Sequence, residues 1–190
     1  MTKPDSKFDR RALLAALAAG AATQASAQRG PGGPRAPLPQ PPPSAEEIQT
    51  LTFMREEEKM ARDVYQFLYE RWGASIFDRI ADSEEQHFAS IGRLLVRYGI
   101  ADPAAATAGV FSNSRISALY GELTSKGALS LKDALEVGVK IEQVDIADLE
   151  DAIQQAVKFD IKRVYSNLME ASFQHLEAFE ATLEILDSLT

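Results

Sequence analysis

Hydrophobic residues recur every three or four positions along most of the chain after residue 44, and this spacing predicts amphipathic α-helices. The pattern divides into four long segments, and the predicted helices are 45–72, 75–98, 131–158 and 160–186. Ser44 and Glu47 have the spacing of a capping box, Ser75 and Ser130 are expected to cap the second and third helices, and Gly73 follows the first. Four long amphipathic helices predict an all-α fold, a four-helix bundle.

The stretch between the second and third predicted helices is unusually long for a helix connection. Residues 99–129 contain four glycines and Pro103, with one short helix expected over 115–125. A connection of this length can run from one end of a bundle to the other. The sequence therefore predicts a long crossover between helices 2 and 3.

The first 44 residues show no helical periodicity that could contribute to a core. Residues 1–27 combine a basic start, an apolar run and Ala25-Ser26-Ala27, which predicts a signal peptide removed after Ala27. Arg10-Arg11 ahead of the apolar run resembles a twin-arginine signal, and a frayed amphipathic tail is the alternative interpretation. The predicted domains are a signal peptide at 1–27, a Pro/Gly-rich linker at 28–44 and a helical domain at 45–190. A periplasmic or secreted protein without stable membrane insertion after processing is expected.

Composition narrows the classes of partner. The formal net charge is −8, which disfavours nucleic acid as a partner, because proteins that bind nucleic acid present a basic surface. The chain has no Cys, so a metal site here would have to use oxygen and nitrogen ligands.

The chain has two histidines, and both lie in the middle of a predicted helix on its apolar stripe. His87 follows Glu84 by three residues, which places the two side chains on one helical face. Aligning the fourth helix on the second by His175 and His87 matches Phe77 with Tyr165, Ile80 with Leu168, Leu95 with Leu183, and Glu84 with Ser172. Glu58 and Glu142 occupy similar central positions in the first and third helices. The sequence therefore predicts an internal two-fold repeat of helix pairs, with acids and histidines at its centre.

These motifs resemble the ferritin-like di-iron carboxylate superfamily, and the region from Leu51 to Leu186 is similar to the bacterial DUF2202 domain family. Glu58, Ala61-Arg62 and Tyr65 are similar to the first-helix motif of rubrerythrins, and Glu84-x-x-His87 matches the second-helix motif. The resemblance implies a ferritin-like four-helix bundle that binds iron or manganese. The metal ligands that it implies are Glu58, Glu84, His87, Glu142 and His175, with Glu84 and Glu142 able to bridge two ions.

The chain departs from this pattern in its fourth helix. Ser172 stands where a Glu-x-x-His motif would place the carboxylate three residues before His175. Asp145, on the same face as Glu142, is the candidate for a sixth ligand. Such a site would be asymmetric, mononuclear or weak.

The alternative is that both histidines are ordinary core residues and that Glu58, Glu84 and Glu142 form ion pairs, with Arg62, Arg93 and Lys140 as the candidate partners. Glu56, Glu57 and Glu85 are expected to be solvated, whereas Tyr65, Tyr69 and Trp72 are expected in the core.

The resulting functional hypothesis is an exported metal-binding protein that could act as a di-iron oxidase or peroxide reductase, with metal ions and a small oxidant as partners. Assembly as a homodimer is compatible with such a bundle. A non-catalytic interaction module with a vestigial site, and a storage cage of many subunits, remain as alternatives.

Overall fold

The computed structural model describes residues 41–189, which form five α-helices and no strand. The helices are α1 (Ala45–Trp72), α2 (Ser75–Tyr98), α3 (Ser114–Gly127), α4 (Leu131–Gln155) and α5 (Phe159–Ser188). The all-α prediction is confirmed, with four long helices and the short helix expected within the crossover. The signal peptide and all but the last four residues of the linker lie outside the described residues.

The four long helices form two antiparallel hairpins joined by the crossover. α1 packs mainly on α2, and α4 packs mainly on α5. The Trp72 indole nitrogen, at the end of α1, donates to the carbonyl of Gly127 just before α4, whereas Glu47 at the start of α1 contacts residues just after α4. α1 and α4 are therefore antiparallel, and the crossover runs the length of the bundle from the end of α2 to the start of α4.

Local capping explains most of the helix boundaries. Ser44 and Glu47 form the predicted capping box of α1, and Gly73 ends that helix with a left-handed φ of 65°, which glycine adopts without steric cost. Two boundary predictions are wrong. The N-cap of α2 is Ala74 rather than Ser75, and α4 ends at Gln155 rather than residue 158. The chain leaves α4 early because the Glu47 carboxylate accepts hydrogen bonds from the backbone N–H groups of Val157 and Lys158.

Charged side chains on the outer face of α1 hold the crossover in place. Glu56 accepts hydrogen bonds from the N–H groups of Ser112 and Asn113. Lys59 is 1% exposed, and it donates to Asp63 at 2.6 Å and to the carbonyl of Thr107 at 2.9 Å. The expectation that Glu56 is solvated is wrong, because the crossover covers it.

The apolar core consists of two clusters, one toward each end of the bundle. Phe77, Ile80 and Phe179 belong to the first cluster, while Ile91, Tyr165 and Leu168 belong to the second. Residues matched by the predicted repeat, such as Phe77 and Tyr165, thus lie in opposite clusters. This is the distribution that a two-fold repeat of helix pairs produces, and it leaves the middle of the bundle to the acids and histidines.

Aromatic packing fills the first cluster up to the central layer. Tyr65 contacts Phe77 and Phe179, and Gly138 gives Phe179 its space, because a Cβ there would lie 2.6 Å from the ring. Tyr65 is fully buried as expected and Trp72 is partly buried, but Tyr69 is 39% exposed, so its assignment to the core is wrong. Among residues 41–189, no helix is long and apolar enough to cross a membrane.

Candidate metal centre

The acids and histidines singled out in the sequence meet in the middle of the bundle, between the two apolar clusters. Each of the four long helices contributes at least one of them. α1 provides Glu58, α2 provides Glu84 and His87, α4 provides Glu142, and α5 provides His175. All except His175 are classed as buried, and the His175 side chain is 11% exposed.

The first group of ligand atoms joins α1 to α2. Nδ1 of His87 lies 2.7 Å from Oε2 of Glu84 and 3.4 Å from Oε2 of Glu58. The three residues offer ligand atoms that all lie within 4.8 Å of one another. Two ligands bound at about 2.1 Å from an ion and at right angles are about 3.0 Å apart, so this spacing suits one cation.

The second group joins α2 to the other hairpin. Nδ1 of His175 lies 2.9 Å from Oε1 of Glu84 and 3.5 Å from Oε2 of Glu142. Glu84 therefore belongs to both groups and directs one oxygen at each histidine. The two imidazole rings are 5.7 Å apart and nearly parallel, with 27° between their planes. The arrangement can hold two cations with the Glu84 carboxylate between them.

Neighbouring side chains hold two further polar atoms of the ligand residues. Tyr65 donates its hydroxyl proton to Oε1 of Glu142 at 2.6 Å, and Nε2 of His175 lies 3.0 Å from the hydroxyl of Ser83. Contacts of this kind fix the orientation of a ligand. Because Tyr65 engages one oxygen of Glu142, only the other oxygen faces His175, whereas both oxygens of Glu84 face histidines.

Asp145 lies beside both groups but belongs to neither. It is buried, and its Oδ2 accepts a hydrogen bond from Ser172 at 2.6 Å. Ser172 occupies the position that the repeat matches with Glu84. A carboxylate from the adjacent helix thus lies beside the serine that stands in place of a glutamate. The role of Asp145 as a sixth ligand stays a prediction.

Several polar atoms of this layer have no hydrogen-bond partner among residues 41–189. They include Oε1 of Glu58, Oδ1 of Asp145 and Nδ1 of His175, which faces Glu84 without hydrogen-bond alignment. Leaving such buried groups unpaired costs free energy, and cations bound in the two ligand groups would engage Glu58 in the first and His175 in the second. The donor set of carboxylate oxygen and imidazole nitrogen therefore fits a divalent iron or manganese ion.

The alternative pairing of the glutamates with basic residues does not occur in residues 41–189. Arg62 contacts Asp63 and Glu85, and Arg93 contacts Ser90. Glu58, Glu84 and Glu142 have the two histidines as their ion-pair partners instead.

The histidines supply the positive charge of the metal-free centre. Burial by itself would raise the pKa of Glu84, but contacts with His175 and His87 outweigh it and lower that pKa to about 2. Burial opposes protonation of His175, yet Glu142 and Glu84 raise its pKa to about 9. Protonated imidazoles and a shared carboxylate thus hold the centre together when no ion is bound.

The other carboxyl groups of the layer are forced toward their neutral forms. Burial and repulsion by Glu84 raise the pKa of Glu142 to about 7 and that of Asp145 to about 8. Burial and the repulsion by Asp145 also raise the pKa of Glu58 well above its ordinary value. Bound cations would reverse this preference, because they stabilise the ionised ligands.

Sequence reasoning missed three polar residues that lie around the centre without belonging to either ligand group. Glu57 was expected to be solvated but is 3% exposed, whereas Ser83 and Asp148 were not singled out. Asp148 carried a signal, since it follows Asp145 by three residues on the same helical face. Ser83 carried none, because its contact with His175 comes from another helix.

Comparison with known proteins places the chain in a family. Residues 47–187 match the family described as "Uncharacterized protein domain (DUF2202)". The chain belongs to the DUF2202 family. Its DUF2202 domain is similar to the Uncharacterized protein MJ0754 of Methanocaldococcus jannaschii, with 50% identity over 143 residues, which cover 75% of this chain and 77% of that protein.

Solved structures support the fold of the DUF2202 domain. The crystal structure of hypothetical protein MJ0754 from Methanococcus jannaschii matches with a TM-score of 0.77 and 47% identity, covering 80% of this chain and 87% of the other. The crystal structure of a DUF305 fragment from Deinococcus radiodurans matches with a TM-score of 0.58 and 16% identity, covering 76% of this chain and 99% of the other. At that identity the second match shows similarity of fold alone.

Proposed function

We propose that the protein is an exported, ferritin-like metal-binding protein whose centre holds two iron or manganese ions and supports oxidation of ferrous iron by peroxide or oxygen. The observation that carries the proposal is Glu84, whose two oxygens face two histidines from different hairpins in two overlapping ligand groups. Glu58 and His87 would complete one cation site with Glu84, and Glu142 and His175 would complete the other.

The residues of the chain would prepare the ligands and exclude competing groups. Binding of a cation requires both Nδ1 atoms to be free of protons, so His87 and His175 would release protons as the ions bind. Ser83 would keep the ring of His175 turned with Nδ1 toward Glu84, and Tyr65 would hold Glu142. The two apolar clusters would limit access of bulk water along the bundle axis.

Bound ferrous ions would supply the redox chemistry, since two of them carry the two electrons that reduce one hydrogen peroxide, with two protons, to two waters. The expected binding stoichiometry is about two ions per chain, because Glu84 can face two ions at once. Equilibrium dialysis of the metal-free protein against Fe²⁺ under anaerobic conditions, and separately against Mn²⁺, measures it. Addition of peroxide to the Fe²⁺-loaded protein should then consume about one peroxide per two irons.

A stoichiometry of about one ion would contradict the dinuclear proposal and assign a single cation to the better-defined Glu58, Glu84 and His87 group. Stable loading without peroxide consumption would contradict the redox activity and favour storage or buffering. A size measurement on the same sample separates a cage of many subunits from a monomer or a homodimer.

The export proposal rests on the predicted signal peptide. The mature protein is expected outside the cytoplasm with Gln28 as its first residue. N-terminal sequencing of the protein from each cell fraction measures this, and a cytoplasmic protein that retains residues 1–27 would contradict it. Changing Arg10 and Arg11 to Lys tests the twin-arginine route, because that route should then leave precursor inside the cell.

A further inference from the structure

A second group of buried carboxylates lies on the α1 and α4 side of the metal centre. It consists of Glu57, Asp145 and Asp148, and each has one buried oxygen without a hydrogen-bond partner in the part of the chain that the structure describes. Glu57 is 3% exposed and Asp145 is 6% exposed. Burial, followed by repulsion from the nearby Asp145 and Asp148 carboxylates, raises the pKa of Glu57. Burying carboxylate oxygens without partners costs free energy unless a cation binds them.

This group connects the centre to the surface. A cavity of about 530 Å³ opens between α1, α4 and the crossover, and its wall contains Asp148 together with Asp151. A smaller space of about 10 Å³, about enough for one water molecule, is lined by Glu57 and Asp145. Asp148 on the cavity wall lies near Glu57, and Glu57 shares the smaller space with Asp145, which lies near Glu58. Two basic side chains also line these spaces, Arg115 the cavity and Lys140 the smaller space.

Other approaches to the centre are less suited to a cation. The two apolar clusters close the bundle toward both ends. On the α2 and α5 side the approach passes His87 and His175, whose imidazoles are neutral or positively charged. Glu56 also lines the cavity, but backbone N–H groups of the crossover already occupy its carboxylate, so Glu56 is not free to bind an ion there.

We propose that Asp148 and Glu57 form an access path that transfers divalent cations from the surface cavity to the metal centre, with Asp145 as the last carboxylate before the ligands. This inference rests on the proposed function, because cations would pass along these carboxylates only if the centre binds them. Each carboxylate offers a weak site that replaces part of the hydration shell and passes the ion inward. The path governs the rate of loading, whereas the ligands of the centre govern its equilibrium affinity.

The test measures loading and affinity separately on the metal-free full chain. Co²⁺ is the probe, because its bound form is followed by visible absorption in a stopped-flow instrument without any redox step. The variants are Glu57→Gln and Asp148→Asn, which remove charge at nearly constant shape. Glu150→Gln is the matched control, since Glu150 lies on α4 two residues after Asp148 and is exposed. A metal-free thermal melt of each variant checks that it is folded.

We expect both path variants to load about tenfold more slowly at low ionic strength, the scale at which focused charge accelerates the arrival of ions. Final Co²⁺ stoichiometry should equal that of the unmodified protein, and the control should load at the unmodified rate. Asp148→Lys should slow loading further, because it places a positive charge on the cavity wall. Should Glu57→Gln fail to fold, the half-buried Asp148 variants carry the test.

Each contrary result has a distinct meaning. Unchanged loading rates in all path variants would overturn the path and leave the metal centre intact. Reduced stoichiometry at an unchanged rate would also overturn it, because Glu57 and Asp148 would then belong to the binding site itself. Absence of Co²⁺ uptake by the unmodified protein would overturn the proposed metal centre, and the path with it.

Discussion

Adding Mn²⁺ to the metal-free protein is expected to raise its melting temperature by about 5 to 10 °C, and Glu84→Ala is expected to abolish the rise. A ligand that binds only the folded state stabilises it by about 2.7 kcal/mol at a hundredfold excess over its Kd. Glu84 is shared by both ligand groups, so its removal should affect both ions at once. Thermal melts with and without Mn²⁺, and with Fe²⁺ under anaerobic conditions, measure the effect.

Glu85→Ala is the matched control for this experiment. It removes the same charge from the adjacent residue of α2, but Glu85 is exposed and contacts Arg62 rather than the centre. Its melting temperature should rise with Mn²⁺ as in the unmodified protein. An equal loss of the rise in both variants would mean that general charge, rather than the centre, attracts the ion.

The metal-free melts separate a binding site from a structural ion-pair network. Glu58→Ala should leave the metal-free protein as stable or more stable, because the Glu58 carboxyl is buried with an oxygen that has no partner. Glu84→Ala should destabilise the metal-free protein, because it leaves both histidines without their closest carboxylate. Both variants should lose the response to Mn²⁺. If the melting temperature of the unmodified protein does not respond to Mn²⁺ or Fe²⁺, the metal-centre hypothesis is wrong and the interaction module becomes the leading hypothesis.

The second large effect is a loss of stability of the metal-free protein as the pH rises from about 5 to 9. Folding raises the pKa of Glu142 to about 7, of Asp145 to about 8 and of His175 to about 9, all above their ordinary values. In this range the folded state therefore binds more protons than the unfolded state, and its stability falls as pH rises. The contribution of His175 is complete below its unfolded pKa of 6.5 and is lost as the pH rises through about 9.

We expect the free energy of unfolding to fall by at least about 3 kcal/mol across this range, since a tenfold change in proton affinity corresponds to about 1.4 kcal/mol. Glu84 acts in the opposite direction, because its lowered pKa gives stability that is lost only as the pH falls from about 4.5 toward about 2. Urea unfolding at each pH, with a metal chelator present, measures the profile.

Asp145→Asn should flatten this profile, because an amide does not ionise. Saturating Mn²⁺ should also remove the loss at high pH, since the ion replaces the protons. Glu150→Gln, an exposed change on the same helix, should leave the profile unchanged. A metal-free protein with constant stability from pH 5 to 9 would show that these carboxyl groups are not buried together.

Apolar periodicity and local caps determined most of the helix boundaries of this protein. The predicted span of α1 is the observed one, and the start of α4 is the observed one, because apolar stripes and Ser, Glu and Gly caps act within one turn of a helix. The same stripes predicted which acids and histidines face inward, and the four helices bring Glu58, Glu84, His87, Glu142 and His175 together. Which side chains of a helix face inward follows from the apolar stripe of that helix, so it can be predicted from the sequence.

Tertiary packing decided what local pattern could not. Glu56 and Glu57 are charged residues typical of a solvated face, but the crossover covers Glu56 and α4 covers Glu57. The end of α4 depends on Glu47, which lies more than one hundred residues earlier in the chain. The Glu47 carboxylate accepts hydrogen bonds from two backbone N–H groups just after α4. The ionisation of the centre likewise depends on distances between different helices. Such contacts between remote segments leave no periodic trace in the sequence, so only the folded chain could show that Glu84 serves both histidines.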